Sequence, residues 1–480
     1  MSRVAFRRGF EAHASFGALG VALAVCLCPV SALAQSQLLS NGGGFVTQPS
    51  AVVTVNQGAG SNAAGVVQLD NNPDTLLTQT GYYNRAAIIQ MGSAGSTTKV
   101  SDALQTGTYN RLLVIQGPGG VSNSQTNAQG PATALANYAY VSQAAVTLSL
   151  EEARLVAQNF LNGPEVARVN LGVLQDVSLQ FSSALADRLD MDRTAGCGQQ
   201  LAKAPCSTQP YFIAFDYGHT RRHDALGVQG YADDVRSVVI GGSFALSKQV
   251  KVGLAASFAD TDADINGGMG RTKAKTYQLG AFASLAGANY HIDAITTVAM
   301  ADFNGSRNSG AYTVSSATDG IGFTARMQAG YSWRAAGLRI GPVASLTYVS
   351  GTIDGYGETG NIWLTQRFGQ QTGKDLFGTV GAEIRYGDGA TALNAYAKVE
   401  LEYDFGITNF DEATSNFDFA PTLLVRTPLA AGTTSTYGKI SAGLRYTVAP
   451  GLAVSLSGRG VVGNARLDRF AVMGGVAFAF

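Results

Sequence analysis

Between Thr391 and Phe405 the chain alternates with a period of two. Leu393, Ala395, Ala397, Val399, Leu401, Tyr403 and Phe405 fall on one side, Asn394, Tyr396, Lys398, Glu400, Glu402 and Asp404 on the other. Successive side chains of a strand point to opposite faces, so this division predicts a strand standing between hydrocarbon and water. Ile440, Ala442, Leu444, Tyr446 and Val448 alternate with Lys439, Ser441, Gly443, Arg445 and Thr447 in the same way, and Val250, Val252, Leu254, Ala256 and Phe258 do so with Lys251, Gly253, Ala255 and Ser257. The core face of a soluble sandwich gives a similar pattern, so the connections have to decide. Strands are expected near 210–219, 234–246, 249–261, 272–286, 288–304, 319–333, 337–353, 374–387, 392–406, 434–448, 451–462 and 468–480. Gaps after the even-numbered strands are short, and those after the odd-numbered ones are mostly long, at 220–233, 262–271, 305–318, 354–373 and 407–433. Short turns on one rim and long loops on the other mark an outer-membrane barrel. Reading 362–368 as a further strand would swap long and short loops in the rest of the chain, so the count is twelve.

Composition agrees. Charged residues are 14% of the chain, against roughly 25% in soluble domains, and there are 59 Gly, 22 Phe and 19 Tyr. Past residue 35 no apolar run reaches the roughly 18 residues of a membrane helix, which excludes a helical membrane protein. With 33 basic and 33 acidic residues the chain is not a strongly basic nucleic-acid binder.

The first segment reads as a signal peptide. Arg3, Arg7 and Arg8 precede an apolar stretch from Phe16 to Val30, and Ala32-Leu33-Ala34 gives a small-x-small cleavage site before Gln35. Its removal takes Arg3, Arg7, Arg8 and Glu11 and leaves 30 basic and 32 acidic residues in 35–480. Cys197 and Cys206 then remain, among Gly196, Gly198 and Pro205; in an exported chain they form a loop disulfide or stay as two unpaired thiols.

Leu171, Leu174, Val177, Phe181, Leu185 and Leu189 recur at three- and four-residue spacing, which predicts an amphipathic helix over about 165–192. Its length, about 40 Å, suffices to traverse a bilayer-spanning pore. At the other end, Phe470, Val472, Val476, Phe478 and Phe480 share one face, broken only by Gly474, and resemble the C-terminal signature read by the barrel-assembly machinery.

Signal segment, variable region, single helix, twelve strands and terminal Phe resemble, in that order, a monomeric (type V) autotransporter. Two local phrases are also similar to that family, Lys275-Thr276-Tyr277-Gln278-Leu279-Gly280 and Gly474-Gly475-Val476-Ala477-Phe478-Ala479-Phe480. The resemblance covers about 165–480. It implies an all-β translocator in the outer membrane, a helix in the lumen, and an upstream passenger carried to the cell surface. Outer-membrane lipid and the barrel-assembly machinery are the implied partners. Some members cleave themselves within this helix at paired Asn residues; here Asn170 stands alone.

The passenger, 35–149, holds six charges in 115 residues, namely Asp70, Asp74, Arg85, Lys99, Asp102 and Arg111, and 22 Gln and Asn together. One spacing recurs: Gln57, Asn62, Gln68; Gln79, Asn84, Gln90; Gln105, Asn110, Gln116. Asn137 and Gln143 match half of a fourth copy. Each copy (57–68, 79–90, 105–116) can form two short strands joined by a turn, with Ala87 and Ile89 on one face and Gln90 on the other. Stacked about 4.8 Å apart, the copies would align Gln on Gln and Asn on Asn. The Gln-x4-Asn-x5-Gln pattern resembles the curlin repeat, although Ala51, Pro73 and Lys99 stand where that repeat has Ser. The other reading is a polar low-complexity spacer.

The passenger has no His and no Cys, which removes a Ser-His-Asp triad or a Cys-His pair from it. His219 and His223, beside Arg221 and Arg222, are placed in a solvated first surface loop, and Glu400, Glu402 and Asp404 in the polar lining of the pore. No enzyme activity, cofactor, metal or nucleic-acid partner is expected. Residues 150–209 are read as the linker that carries the helix, and 210–480 as the barrel. The expected role is export and surface display of the passenger, for adhesion, autoaggregation or biofilm. The rival is an outer-membrane channel whose N-terminal segment is a plug or spacer.

Overall fold

The computed structural model describes ten short strands between residues 38 and 143, Ala153 and Val156, residues 165–194, and residues 210–479 apart from 225–228, 248, 310–311, 336, 388–390, 406–412 and 428–434. Ala34, Gln35, Asn62, Asn84, Asn110, Cys197, Cys206 and Phe480 lie outside the described residues.

The N-terminal strands are β1 (Leu38–Leu39), β2 (Gly44–Gln48), β3 (Val52–Gln57), β4 (Ala63–Leu69) and β5 (Asp74–Thr80). They continue as β6 (Arg85–Met91), β7 (Lys99–Thr106), β8 (Arg111–Gln116), β9 (Asn123–Gln129) and β10 (Tyr138–Gln143). Each pairs in parallel with the strand two further on, so the odd strands form one five-stranded sheet, the even strands another, and the chain coils between them. Gln57, Gln79, Gln105 and Gln129 share one register position in the first sheet. Gln48, Gln68, Gln90, Gln116 and Gln143 share one in the second. The uneven spacing of the copies is taken up in the connections, 70–73 before β5 and 92–98 before β7. Alternation puts Ala87 and Ile89 on one face and Gln90 on the other; Ala86, Ala87, Ile88 and Ile89 are all fully buried, as are Leu112 and Leu113. Strands of a parallel sheet covered on both faces carry continuous apolar runs, which is how RAAII and RLLVI read.

Helix α1 spans Glu165–Thr194. The barrel then opens with β11 (Tyr211–Arg222), β12 (Tyr231–Ala245), β13 (Val250–Ile265), β14 (Gly270–Ala286), β15 (Tyr290–Ser309) and β16 (Tyr312–Tyr331). A short β17 (Trp333–Ala335) pairs with the start of β18 (Leu338–Ile353), and β19 (Tyr356–Thr359) and β20 (Gln366–Phe368) lie in the connection to β21 (Gln371–Tyr386). After β22 (Leu393–Asp404) come the hairpin β23 (Ala413–Phe417) and β24 (Ala420–Thr427), then β25 (Ser435–Ala449), β26 (Leu452–Val462) and β27 (Leu467–Phe478). Antiparallel pairing runs β11-β12-β13-β14-β15-β16-β18-β21-β22-β25-β26-β27, and β27 closes on β11, giving the expected twelve-stranded wall.

The faces divide as the alternation predicts. Val399 and Leu401 are exposed while Lys398, Glu400 and Glu402 between and beside them are buried. On β15 the outward positions from Tyr290 to Met300 are apolar or small, and Asp302 follows. Ten residues at about 3.3 Å, tilted about 40°, give a band roughly 25 Å tall, the height of a barrel's lipid belt. Aromatic pairs ring its edges, Tyr211–Phe478 and Tyr331–Trp333 on one rim, Tyr217–Phe470 and Phe258–Tyr277 toward the other. Phe470, Val472 and Val476 share this outward, exposed face. Among the described residues no helix is long and apolar enough to cross a membrane; the crossing is made by strands.

Two of the expected long loops, 262–271 and 305–318, are mostly strand, because β13 to β16 run on past the lipid belt. A strand above the membrane has water on its outer side and needs no apolar face, so alternation does not announce it. The connections 354–373 and 407–433 fold together: β16 pairs with β19, β19 with β20, β20 with β23 and β23 with β24. Gln366–Phe368 is thus a strand, as 362–368 suggested, but it sits on the rim and leaves the wall at twelve.

Candidate functional site

Helix α1 occupies the bore. Its side chains meet partners on nearly every wall strand from β11 round to β27, which only a helix inside a closed barrel can do. Thirty residues at about 1.5 Å each make it about 45 Å long. Val166 packs at Gly305, in the strands that rise above the lipid, while Asp192 reaches Lys251 and Arg445 near the short turns. The helix therefore enters at the long-loop rim and leaves at the other.

One side of the helix is apolar. Leu171, Leu174, Val177, Phe181, Leu185 and Leu189 are all buried against the wall, with Ala263, Ala299, Ile353, Phe282 and Ile295 among their neighbours. The wall makes room with glycine: a Cβ on Gly280 would come within 2.9 Å of Leu185, on Gly322 within 2.5 Å of Ser178, on Gly320 and Gly351 within 3.2 Å of Leu174 and Leu171, and on Gly373 within 2.8 Å of Leu171. These glycines lie on β14, β16, β18 and β21 and form a groove in which the helix backbone sits close to the sheet. They account for part of the high glycine content.

The other side is charged. The helix carries five acidic and three basic residues, and four of the acids are buried against bases of the wall. Asp176 accepts hydrogen bonds from Arg222 at 2.8 Å and Tyr231 at 3.0 Å, and pairs with Arg469. Asp187 accepts from Arg459 at 2.8 Å and from Tyr396 at 3.0 Å. Asp190 binds Lys398 and lies 3.7 Å from Arg385. Asp192 binds Lys251 and, at 3.1 Å, Arg445. In the opposite sense Arg193 pairs with Asp293. A buried charge is tolerable only when paired and hydrogen-bonded, so helix acids that each face a wall base hold the helix in one rotation and one depth. Asn170 is buried near the helix start and accepts a hydrogen bond from Thr272 at 2.7 Å.

Beside the helix lies a cavity of about 60 Å³ lined by Asp176, Gln180, Lys439, Arg459 and Arg469. That is room for a handful of waters.

The residues singled out in sequence fall as follows. Glu400 accepts a hydrogen bond from Thr379 at 2.9 Å, and Glu402 accepts from Lys439 at 2.7 Å and from Tyr437, so both are spent on the lining. His219, Arg221 and Arg222 are not in a surface loop but on β11, where Arg222 turns inward to the helix. His219 and His223 lie 3.0 Å from Asp234 and 2.8 Å from Asp468. Among the described residues no group of three or more His, Cys, Asp or Glu is placed to hold a metal ion. Alternation marked Lys398, Lys251 and Arg445 as inward; which helix acid each would meet required the wall to close.

Above the rim, Arg307 donates to Glu358 at 2.6 and 3.1 Å, and Arg367 to Asp418 at 2.8 Å, tying the folded connections to each other. Burial, with the Glu358 carboxylate beside it, raises the Tyr356 phenol above its usual range. Partial burial opposes ionisation of Asp418, but hydrogen bonds from Arg367 and Thr365 outweigh it and lower its pKa.

A closed barrel with apolar outer belt, uneven rims and a helix through its bore defines an outer-membrane β-barrel. Residues 211–459 match the family described as the autotransporter beta-domain, and the chain belongs to that family. Among solved structures, it is similar to the translocator domain of autotransporter NalP from Neisseria meningitidis (13% identity, TM-score 0.49, 64% of this chain and 99% of that one). It is also similar to the beta domain of the Bordetella autotransporter BrkA (11%, TM-score 0.41, 56% and 99%) and the transport unit of AIDA-I from Escherichia coli (11%, TM-score 0.39, 60% and 97%). No curated protein sequence matches the chain. The protein is thus an outer-membrane β-barrel of the autotransporter type.

Proposed function

We propose that this chain exports its own N-terminal segment through the outer membrane and keeps it at the cell surface as a short curlin-like stack, for adhesion, autoaggregation or biofilm formation. The observation that carries the reading is the recurrence of Gln at one register position in both parallel sheets, directly upstream of a helix that fills the bore. A segment so poor in charge and so regular in register is suited to ordered stacking. The role is non-catalytic: residues 35–149 contain neither His nor Cys. The first 34 residues serve as the export signal and are removed after Ala34. The barrel reaches the membrane through the assembly machinery, which reads the outward face of its last strand.

An epitope inserted near Gly130 of the full chain tests display. Antibody should label intact cells; labelling that appears only after lysis would sink the reading and leave the segment as a periplasmic spacer.

A further inference from the structure

We propose that the N-terminal rung of the stack, β1 with β2, is a self-association surface that pairs with the same rung of a second copy of this chain held in a facing membrane. The proposal rests on the display reading above.

The two ends of the stack are not equivalent. At the C-terminal end β10 lies beside β24 of the barrel's rim hairpin, with Cα atoms within 8 Å. That end therefore abuts the protein's own barrel. At the N-terminal end β1 pairs only with β3 and β2 only with β4 among the described residues, so each keeps one edge. Natural edges are usually guarded by charge. Here residues 35–69 hold no Asp, Glu, Lys or Arg, and the six charges of the passenger all lie between Asp70 and Arg111. Like can meet like at this end without charge repulsion, which a self-pairing surface requires and a surface for a charged partner would not.

The tether decides the geometry. Stacks anchored in one membrane all stand the same way up, so their free ends point the same way and cannot meet. Stacks in two facing membranes bring their free ends together about a two-fold axis, with β2 antiparallel to its counterpart. Such a contact is isologous and closes at two copies. Five rungs at about 4.8 Å each give roughly 24 Å per stack, so only closely apposed membranes can be joined. The contact is pairwise, not the start of a fibre.

The test uses the full chain with Cys197 and Cys206 replaced by Ser and one new cysteine, Thr47→Cys in β2 or Ser142→Cys in β10. Two cell populations carrying different tags are mixed and treated with a short bis-maleimide. Thr47→Cys should give mixed-tag dimers several-fold more often than Ser142→Cys, and adding Val46→Lys to the first should abolish them while Ser142→Cys in the same background still accepts an impermeant maleimide. Efficient labelling of Thr47→Cys without mixed-tag dimers, or equal yields from both positions, overturns the proposal. If neither cysteine is labelled on intact cells, the display reading itself fails and this inference falls with it.

Discussion

In the barrel each wall strand pairs with the next wall strand along the chain, antiparallel, until β27 meets β11 and no edge is left. In the N-terminal stack the strands pair in parallel with the one two further on, and among the described residues the first rung, β1 with β2, keeps its edges. The two regions use the same ladder hydrogen bonds to different ends. Closure suits a wall that must stand in hydrocarbon, where an unpaired backbone group costs several kcal/mol. An open stack in water has no such constraint and can offer its edge to another chain. The burial patterns follow: wall strands alternate between lipid and lumen, whereas β6 and β8 are apolar on both faces.

The largest effect that would break this comparison is removal of the helix. Deleting residues 165–194 should turn a closed bore into a conducting one. Because seven wall bases (Arg222, Arg469, Arg459, Lys398, Arg385, Lys251 and Arg445) lose a helix carboxylate while one wall acid, Asp293, loses a helix base, the pore should prefer anions. Conductance and reversal potential in planar bilayers check this; a cation preference would mean that the acids of the wall dominate. Next in size, Asp190→Ala leaves Lys398, Arg385 and Arg193 facing a lost partner, and breaking a buried pair costs about 3–5 kcal/mol. The temperature at which the detergent-solubilised barrel unfolds on a gel should fall accordingly.

Ile88→Ala removes a fully buried side chain from the stack, for about 2–5 kcal/mol. If the two regions are independent, protease resistance of 35–149 drops while the barrel's unfolding temperature stays put; a parallel drop would join them into one cooperative unit. The smallest effect is expected of Arg367→Ala on the rim, whose exposed pair with Asp418 is worth less than about 1 kcal/mol. Since Asp418 is held below its usual range, that contribution is present above the ordinary carboxylate pKa and lost as the pH falls through the lowered value, so wild type and variant should converge in acid.

How much of this was legible in the chain depends on whether a feature lives on one strand or between several. The wall was legible because lipid on one side and water on the other leave a mark on each strand alone, as in Leu393 to Phe405. The helix was legible from Leu171, Leu174, Val177, Phe181, Leu185 and Leu189. The glycine groove was not: Gly280, Gly322, Gly351 and Gly373 come from four strands and meet only when the register is set. The same holds for the wall partners of Asp176 and Asp192, 46 and 59 residues away along the chain at the nearest. Of the rim sheet only 362–368 carries a strand signal, because β19, β20 and β23 are three to five residues long, have no lipid-facing pattern and pair only across separate connections.

The helix in the bore also fixes a stoichiometry. It is continuous with the first wall strand through 195–210 and with the stack through 144–164, so the occupant of each barrel is a part of that same barrel's chain. Under the display reading, a bore filled by its own tether would have no vacancy for a second cargo and would not turn over. The number of stacks on a cell would then equal the number of barrels in its membrane, and surface density would be set by synthesis alone.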